Sequence, residues 1–397
     1  MRATRAIIYL DNLRHNIRSL AGRIRSVRGA PVPFIVAVKA DGYGHGAGRV
    51  ASVARDEGAE GVGVATVEEG AHVRDVGFSG RILLYSIALA EEAAAIAELG
   101  LEPFVADRDY IRTLAEAAEG SAAARAIPVH LNIDTGMGRI GCKPEEAAQL
   151  AVQISGEPWL NLAGVCTHFP AADADDQSFT YHQLKRFQHA VETIRSRGVD
   201  PGRMHAANSG ACLEVDAAWL DIARPGISVY GYYPSHDQRR AVELKPVMEL
   251  ESRVVFVKSV DEGESVSYGR TWTANRRTRI ATVPAGYADG YNRLLSNRAE
   301  VLLFTGDEAG ATESGMKRSE SRTAGRVPVV GRVCMDQLMI DCGPDSNVRV
   351  GDRVVLFGPD PRGPDAEELA DLVGTIPYEI VSQINHRVPR VYRSARY

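Results

Sequence analysis

The sequence predicts an α/β protein in which an N-terminal (β/α)8 TIM-like barrel is followed by a mostly β domain. Two observations carry that expectation. From Asp11 to about Gly231 short β-branched runs alternate with amphipathic helical stretches, and after Pro234 the helical periodicity fades into strand-like runs separated by turn residues. Alternation with connections of this length pairs strands in parallel, and eight such units in about 220 residues fit a closed barrel better than an open sheet.

The candidate barrel strands are residues 34–39, 61–66, 81–85, 102–106, 128–134, 161–168, 203–208 and 223–231, with helical patterns such as 144–154 and 179–196 between them. Beyond the barrel the candidate strands are 253–260, 278–284, 300–304, 327–335 and 351–357. These patterns divide the chain into domains of residues 1–240 and 241–397, with residues 1–10 a candidate to pair with the β domain. The stretch 306–326 has almost no large apolar residue, cannot bury enough surface to offset its ordering entropy, and reads as a mobile surface loop.

Composition narrows the function classes. With 46 Lys and Arg against 51 Asp and Glu the formal charge is −5, which excludes a polybasic nucleic-acid binder. At 45% hydrophobic and 24% charged the chain has ordinary globular composition. Cys142, Cys166, Cys212, Cys334 and Cys342 lie far apart with no C-x-x-C pair, so neither a disulfide framework nor a zinc site is indicated, and a reducing cytoplasm fits best. The apolar run near the N-terminus stops at Asp11, and no stretch reaches the ~18 apolar residues of a membrane span, so no membrane partner is expected.

The chemistry concentrates after the first candidate strand, in Val36-Ala-Val-Lys39-Ala-Asp-Gly-Tyr-Gly-His-Gly46. Functional groups of a barrel sit at the C-terminal ends of its strands. A lysine there is partly desolvated, which lowers its pKa and favours the neutral amine that a Schiff-base nucleophile needs; the bland alternative is a lysine that only snorkels to the rim. Gly42, Gly44 and Gly46 let the backbone approach an anion closely, and Tyr43 offers a hydroxyl. Gly42-x-Gly44-x-x-Ala47, with Glu68 about twenty residues further on, also formally matches a dinucleotide-binding fingerprint and hence an oxidoreductase. That match is weak, because Lys39, Ala40 and Asp41 separate the strand from the first glycine.

The motif closely resembles the pyridoxal-phosphate attachment site of alanine racemases. Further matches follow in order along nearly the whole chain: His130-Leu-Asn-Ile-Asp-Thr-Gly-Met-Gly-Arg139, Thr167-His168-Phe169, Asn208-Ser209, Arg224-Pro-Gly226-Ile227, Val266-Ser-Tyr268-Gly, Pro284-Ala-Gly-Tyr287, Gly331-Arg332-Val-Cys-Met335-Asp336 and Ile376-Pro-Tyr378. The resemblance implies racemisation of alanine on pyridoxal 5'-phosphate. It implies that Lys39 holds the cofactor and acts as base on one face of the substrate, and that Tyr268 acts on the other. It implies that Arg224 donates to the pyridine nitrogen, with His168 beside it. Tyr43, Ser209 and Tyr378, the amides of Gly226 and Ile227, and the neighbouring Asn208 would hold the phosphate. Arg139 and the Met335 amide would meet the substrate carboxylate.

By the same resemblance Tyr268, Tyr287 and Tyr378 line an inner entrance, with Asp173, Arg293, Arg332 and Ile376 further out and Asp336 supporting. The enzyme would be a cytoplasmic homodimer with shared active sites, supplying D-alanine for peptidoglycan. An amino-acid decarboxylase of the same fold and a non-catalytic cofactor carrier are the rival readings. Two departures stand out: many family members carry a carbamylated lysine where this chain has Asn132, so chloride or another small anion, or a direct amide contact, would have to position Arg139, and the segment 306–326 is an insertion.

Overall fold

The computed structural model describes residues 2–122, 125–306 and 323–394, without the side chains of residues 25–28. The chain divides into two compact units, Asn12–Lys245 and Met1–Asp11 together with Pro246–Tyr397. Strand β1 (Arg5–Tyr9) therefore belongs to the C-terminal unit.

In the first unit β2 (Ile35–Ala37), β3 (Gly61–Val64), β4 (Arg81–Leu84), β5 (Glu102–Val105), β6 (Ile127–Asn132), β7 (Leu160–Cys166) and β8 (Arg203–His205) form a seven-stranded sheet in chain order. Every pairing is parallel. All residues of β2, β3 and β5 are buried, as strands covered on both faces must be. The intervening helices start where the sequence supplies caps: Thr66 accepts from the Glu69 amide, Asp107 from the Tyr110 amide, and Pro144 opens Pro144–Gly156.

The expected eighth strand, 223–231, is not a strand. Pro225 has no N–H to extend a ladder, and the chain passes instead into a 3₁₀ turn at Ile227–Tyr230. Its first residues still join the two edges of the sheet. Ala223 N–H donates to Pro33 O (2.9 Å), while Ala223 O and Pro225 O accept from Ile35 N–H (2.9 Å) and Ala37 N–H (3.0 Å). On the other side Arg224 N–H donates to Ala207 O (2.8 Å) and Asp221 N–H to Met204 O (3.0 Å). The barrel closes through a short extended link.

The second unit contains β9 (Met248–Arg253), β10 (Phe256–Val260), β11 (Ser265–Val266), β12 (Trp272–Thr273), β13 (Thr278–Val283), β14 (Glu300–Thr305), β15 (Thr323–Pro328), β16 (Leu338–Asp341), β17 (Arg353–Phe357) and β18 (Arg390–Arg393). They form a six-stranded sheet in the order β15-β14-β17-β9-β1-β18, a three-stranded sheet β10-β13-β16, and the pair β11-β12. The single strand expected at 253–260 is two, split at residues 254–255. The strand expected at 327–335 ends at Pro328, because Gly331 turns at φ 73° and the ladder resumes only at Leu338. The expected loop 306–326 is corrected at its end, where residues 323–326 pair with β14 as part of β15; residues 307–322 lie outside the described residues. Two helices, Ala366–Val373 and Pro377–Ser382, were not expected. Their signals were present, as Asp365 caps the Glu368 amide and Pro377 opens the second. Among the described residues no helix is long and apolar enough to cross a membrane.

The six-stranded sheet buries two carboxylates, Glu249 and Glu251. Arg353 bridges them, with Nη2 2.5 Å from Glu249 and Nε 2.8 Å from Glu251, and Arg5 adds a second partner to Glu251 at 2.5 Å. Burial pushes the Glu249 carboxyl up, whereas for Glu251 the pull of Arg353 and Arg5 outweighs burial and holds it low. Replacing Arg353 by Met leaves Glu249 without its ion partner and Glu251 with Arg5 alone, and removing one partner of a buried pair costs about 3 to 5 kcal/mol. Urea titration of Arg353→Met should show a loss of that order; a loss under about 1 kcal/mol would mean that water reaches the two carboxylates.

Candidate active site

The backbone leaves β2 in an unusual way. Residues 40–44 all have positive φ: Ala40 52°, Asp41 52°, Gly42 61°, Tyr43 52° and Gly44 80°. This is a turn of left-handed helix closed by Gly42 N–H to Val38 O (2.7 Å) and Gly44 N–H to Ala40 O (2.8 Å). An L-residue pays about 1 to 2 kcal/mol for that conformation, so Ala40, Asp41 and Tyr43 hold it only because other groups insist. The Glu69 carboxylate accepts from Ala40 N–H (2.6 Å) and Ala65 N–H (2.7 Å). Asp41 accepts from Ala47 N–H at 2.9 Å, and Tyr43 stacks on Tyr230 at 4.7 Å, whose hydroxyl donates to Ala37 O at 2.7 Å. Lys39, the residue before this run, is half-buried at the end of its strand.

Four basic side chains of the barrel unit share one region. Burial, then the charge of Arg139, lowers the Lys39 pKa against an opposing pull from Glu69. His168 falls to about 3 through burial and then the charges of Arg224, Arg139 and Lys39, so its imidazole is neutral. Among the described residues neither Lys39 nor Arg139 has a carboxylate within ion-pairing distance. Cations left without carboxylates near one another make a site for an anion. The loop carrying Arg139 is held by Asn132, whose Nδ2 donates to Ile140 O at 3.2 Å.

A second group of donors lies beside them. Asn208 caps the helix Ser209–Glu214, accepting from Ala211 N–H (3.1 Å) and donating to Phe169 O (3.0 Å). Ser209 Oγ accepts from Gly226 N–H at 2.8 Å, next to Ile227. A Cβ on Gly226 would stand 2.7 Å from the Tyr43 hydroxyl, so only glycine lets these groups converge. Two hydroxyls and main-chain amides, with no lysine, form a donor set able to hold a phosphate. Asp173 lies near by, its backbone against Gly210 and its carbonyl accepting from Ser235.

The remaining expected residues belong to the β unit. Tyr268 follows Ser267, whose φ of 69° and ψ of −179° are a backbone region nearly reserved for glycine. Ser267 Oγ holds that strain by donating to Arg332 O at 2.6 Å, and the Arg332 guanidinium lies over Gly269. Tyr287 donates its N–H to Cys334 O at 3.1 Å, next to Met335, and Arg293 opens a short 3₁₀ turn. Asp336 pairs with Arg387 at 2.8 Å, and Arg387 also holds the buried Asp289 at 2.6 Å. Ile376 precedes the helix that carries Tyr378. Tyr268, Met335, Ile376 and Tyr287 are 70%, 52%, 50% and 41% exposed, an uncovered set of large side chains in this unit.

Residues 8–234 match the family model of the alanine racemase N-terminal domain, and residues 247–392 that of the alanine racemase C-terminal domain. The chain belongs to the alanine racemase family. It is 42% identical to the alanine racemase of Treponema denticola over 99% of this chain and 98% of that one. It superposes on the alanine racemase of Clostridium difficile 630 with a TM-score of 0.88 at 32% identity, covering 100% and 97% of the two chains. The alanine racemase of Bacillus anthracis with bound L-Ala-P gives 0.86 at 32% identity over 99% and 95%. The protein is thus an alanine racemase enzyme.

Sequence reasoning expected His168 beside Arg224, and the charge of Arg224 is one cause of the lowered His168 pKa. The side chain that accepts from Arg224, however, is His205, which was missed. His130 stood only at the head of the Arg139 motif and His205 and Glu102 only within candidate strands, and it is the closed barrel that stacks them. The neutral His168 has a pH consequence for this racemase. Its folded pKa of about 3 lies below the ordinary 6.5, so the unfolded chain binds the extra proton and stability falls as pH drops from 6.5 toward 3. His168→Gln should flatten the fall of urea-unfolding free energy over this range by at most about 1.4 kcal/mol per pH unit. Parallel profiles would show that the native pKa of His168 is not lowered.

Proposed function

We propose that the enzyme racemises alanine with pyridoxal 5'-phosphate carried on Lys39, using Lys39 and Tyr268 as bases on opposite faces of the substrate. It would act as a cytoplasmic homodimer and supply D-alanine for peptidoglycan. The observation that carries the reading is the convergence of a half-buried lysine of lowered pKa with the charges of Arg139 and Arg224 and, beside them, a hydroxyl-and-amide cradle. This donor set suits a cofactor that is both an aldehyde and a phosphate ester. When bound, that cofactor delocalises the electron pair left on the α-carbon, without which no side chain could remove the α-hydrogen.

The chain's own residues do the rest. Lys39 Nζ takes or returns a proton on one face, and the Tyr268 hydroxyl does so on the other. Tyr43, Ser209 and Tyr378, with the amides of Gly226 and Ile227, bind the phosphate. Arg139 and the Met335 amide orient the substrate carboxylate. Arg224 has no proton it can readily give up, so it donates a hydrogen bond to the ring nitrogen without protonating it. That restrains the electron sink and favours return of the proton to the α-carbon over transamination. Tyr287, Arg293, Arg332, Asp173 and Ile376 narrow the approach and favour a methyl-sized side chain, a discrimination of ~1 to 3 kcal/mol per methylene.

Borohydride treatment of the yellow holoenzyme should fix the cofactor on Lys39, and Lys39→Ala should lose both label and turnover. A label on another lysine defeats the assignment, and carbon dioxide release from L-alanine would instead indicate a decarboxylase. The exposed rings of Tyr268 and Tyr287 support a second copy as their cover. If Tyr268 serves the partner's site, Lys39→Ala and Tyr268→Phe dimers should each be nearly inactive. Exchanging their subunits should restore racemisation to about half the wild-type rate per heterodimer, since one site then holds both lesions and the other none. Inactive heterodimers of demonstrated composition would mean that Tyr268 serves its own subunit or that two bases are not used.

A further inference from the structure

Arg224 is one end of a hydrogen-bonded chain that runs down the barrel interior. Its Nη1 lies 2.5 Å from Nδ1 of His205, the last residue of β8. Nε2 of His205 lies 2.9 Å from Nδ1 of His130 in β6, and Nε2 of His130 lies 3.0 Å from Oε2 of Glu102, the first residue of β5. Arg81, the first residue of β4, grips Glu102 from below through Nε (2.8 Å) and Nη2 (2.5 Å). Phe104 packs 6.2 and 6.0 Å from the two imidazoles, and its neighbours Ile35, Leu83, Cys166 and Ile222 are all buried. The backbone makes room for the chain. A Cβ on Gly164 would stand 2.8 Å from His130 Nδ1, and the β6–β7 register slips between Val129 and His130 at this point.

The two ends determine where every hydrogen sits. A guanidinium only donates, so Nδ1 of His205 accepts and carries no hydrogen. A neutral imidazole then has its hydrogen on Nε2, which donates to Nδ1 of His130. His130 must in turn carry its hydrogen on Nε2 and donate to the Glu102 carboxylate. The titration of each group agrees. Burial, then Arg224, holds His205 well below its ordinary range, and burial lowers His130 against the pull of Glu102. Arg81 and His130 outweigh burial at Glu102 and bring it to about 2.

We propose that Glu102 is a positioning residue for Arg224, acting through His130 and His205 so that an acceptor, never a donor, faces the Arg224 guanidinium. Its catalytic consequence rests on the reading above in which Arg224 meets the cofactor ring nitrogen. With an acceptor at its lower end, every hydrogen in the chain points away from Arg224. Without one, the Nε2 hydrogen of His130 is a buried donor with no acceptor, and only the reversed tautomers relieve it, at the expense of a hydrogen on His205 Nδ1 that opposes Arg224. Arg224 would then keep only the carbonyls of Thr167 (2.6 Å) and Ala206 (3.3 Å).

The test is long-range ¹H–¹⁵N spectroscopy of histidine-labelled holoenzyme, with His130 and His205 assigned by substitution to Asn. In wild type both should be neutral, protonated on Nε2 and bare on Nδ1. Glu102→Met should give His205 Nδ1 protonated character and lower kcat roughly 10- to 100-fold with little change in KM, the scale typical of lost outer partners. Glu102→Gln breaks the charge pair with Arg81 but keeps an acceptor oxygen, so it should retain the wild-type tautomers and most of kcat; a role limited to the ion pair would be lost in both variants. A proton on His205 Nδ1 or a charged imidazole in wild type overturns the proposal, as does Glu102→Met with unchanged tautomers or unchanged kcat. The wild-type tautomers need no variant to fold and do not depend on the cofactor's role, so the proposal can fail while the label on Lys39 stands.

Discussion

The main-chain hydrogen bonds of Ala223, Arg224 and Pro225 are the constraint on which the barrel unit depends. A seven-stranded parallel sheet has two open edges, and here a link of three residues ties them together by donating to one side and both donating to and accepting from the other. Because Arg224 is the middle residue of that link, its backbone cannot move without opening the barrel. Its guanidinium is consequently delivered to a fixed place, buried and hydrogen-bonded to His205. Closure of the fold and placement of a functional charge are one structural event.

What the sequence made legible follows from burial. The parallel strands read clearly because both faces are covered, so their apolar character is continuous. The same signal misled at 223–231: Ile227, Val229 and Tyr230 are buried as strand residues would be, yet Pro225 and Gly226 had already ended the ladder. Around Gly331 an apolar run was mistaken for a strand because its turn depends on a positive φ that composition alone does not reveal. At the site, Lys39, Arg139, Ser209 and Arg224 could be named from motifs. Glu102 and His205 could not, and His130 stood only as the first residue of the Arg139 motif, since the relation of the three is through space across β5, β6 and β8.

The site also illustrates how a fold tolerates local cost. Three non-glycine residues in a left-handed turn and a half-buried lysine that feels the charge of Arg139 are each unfavourable alone. They persist because Glu69, Asp41 and Tyr230 clamp the turn and because the barrel beneath is densely apolar. Natural proteins place such conflicts where a ligand is to resolve them.

Strand β1 has a further consequence, for synthesis. It lies between β9 and β18, so its neighbours are residues 248–251 and 390–393, and the whole barrel is translated before either exists. At ribosomal rates of about 5 to 20 residues per second, Ala6, Ile7 and Ile8 wait roughly 10 to 50 s for a first partner and longer for the second. Through that interval the nascent chain exposes an unpaired apolar strand beside a unit whose own residues are complete. Strand β1 precedes every other strand in the chain and is yet among the last whose partners become available.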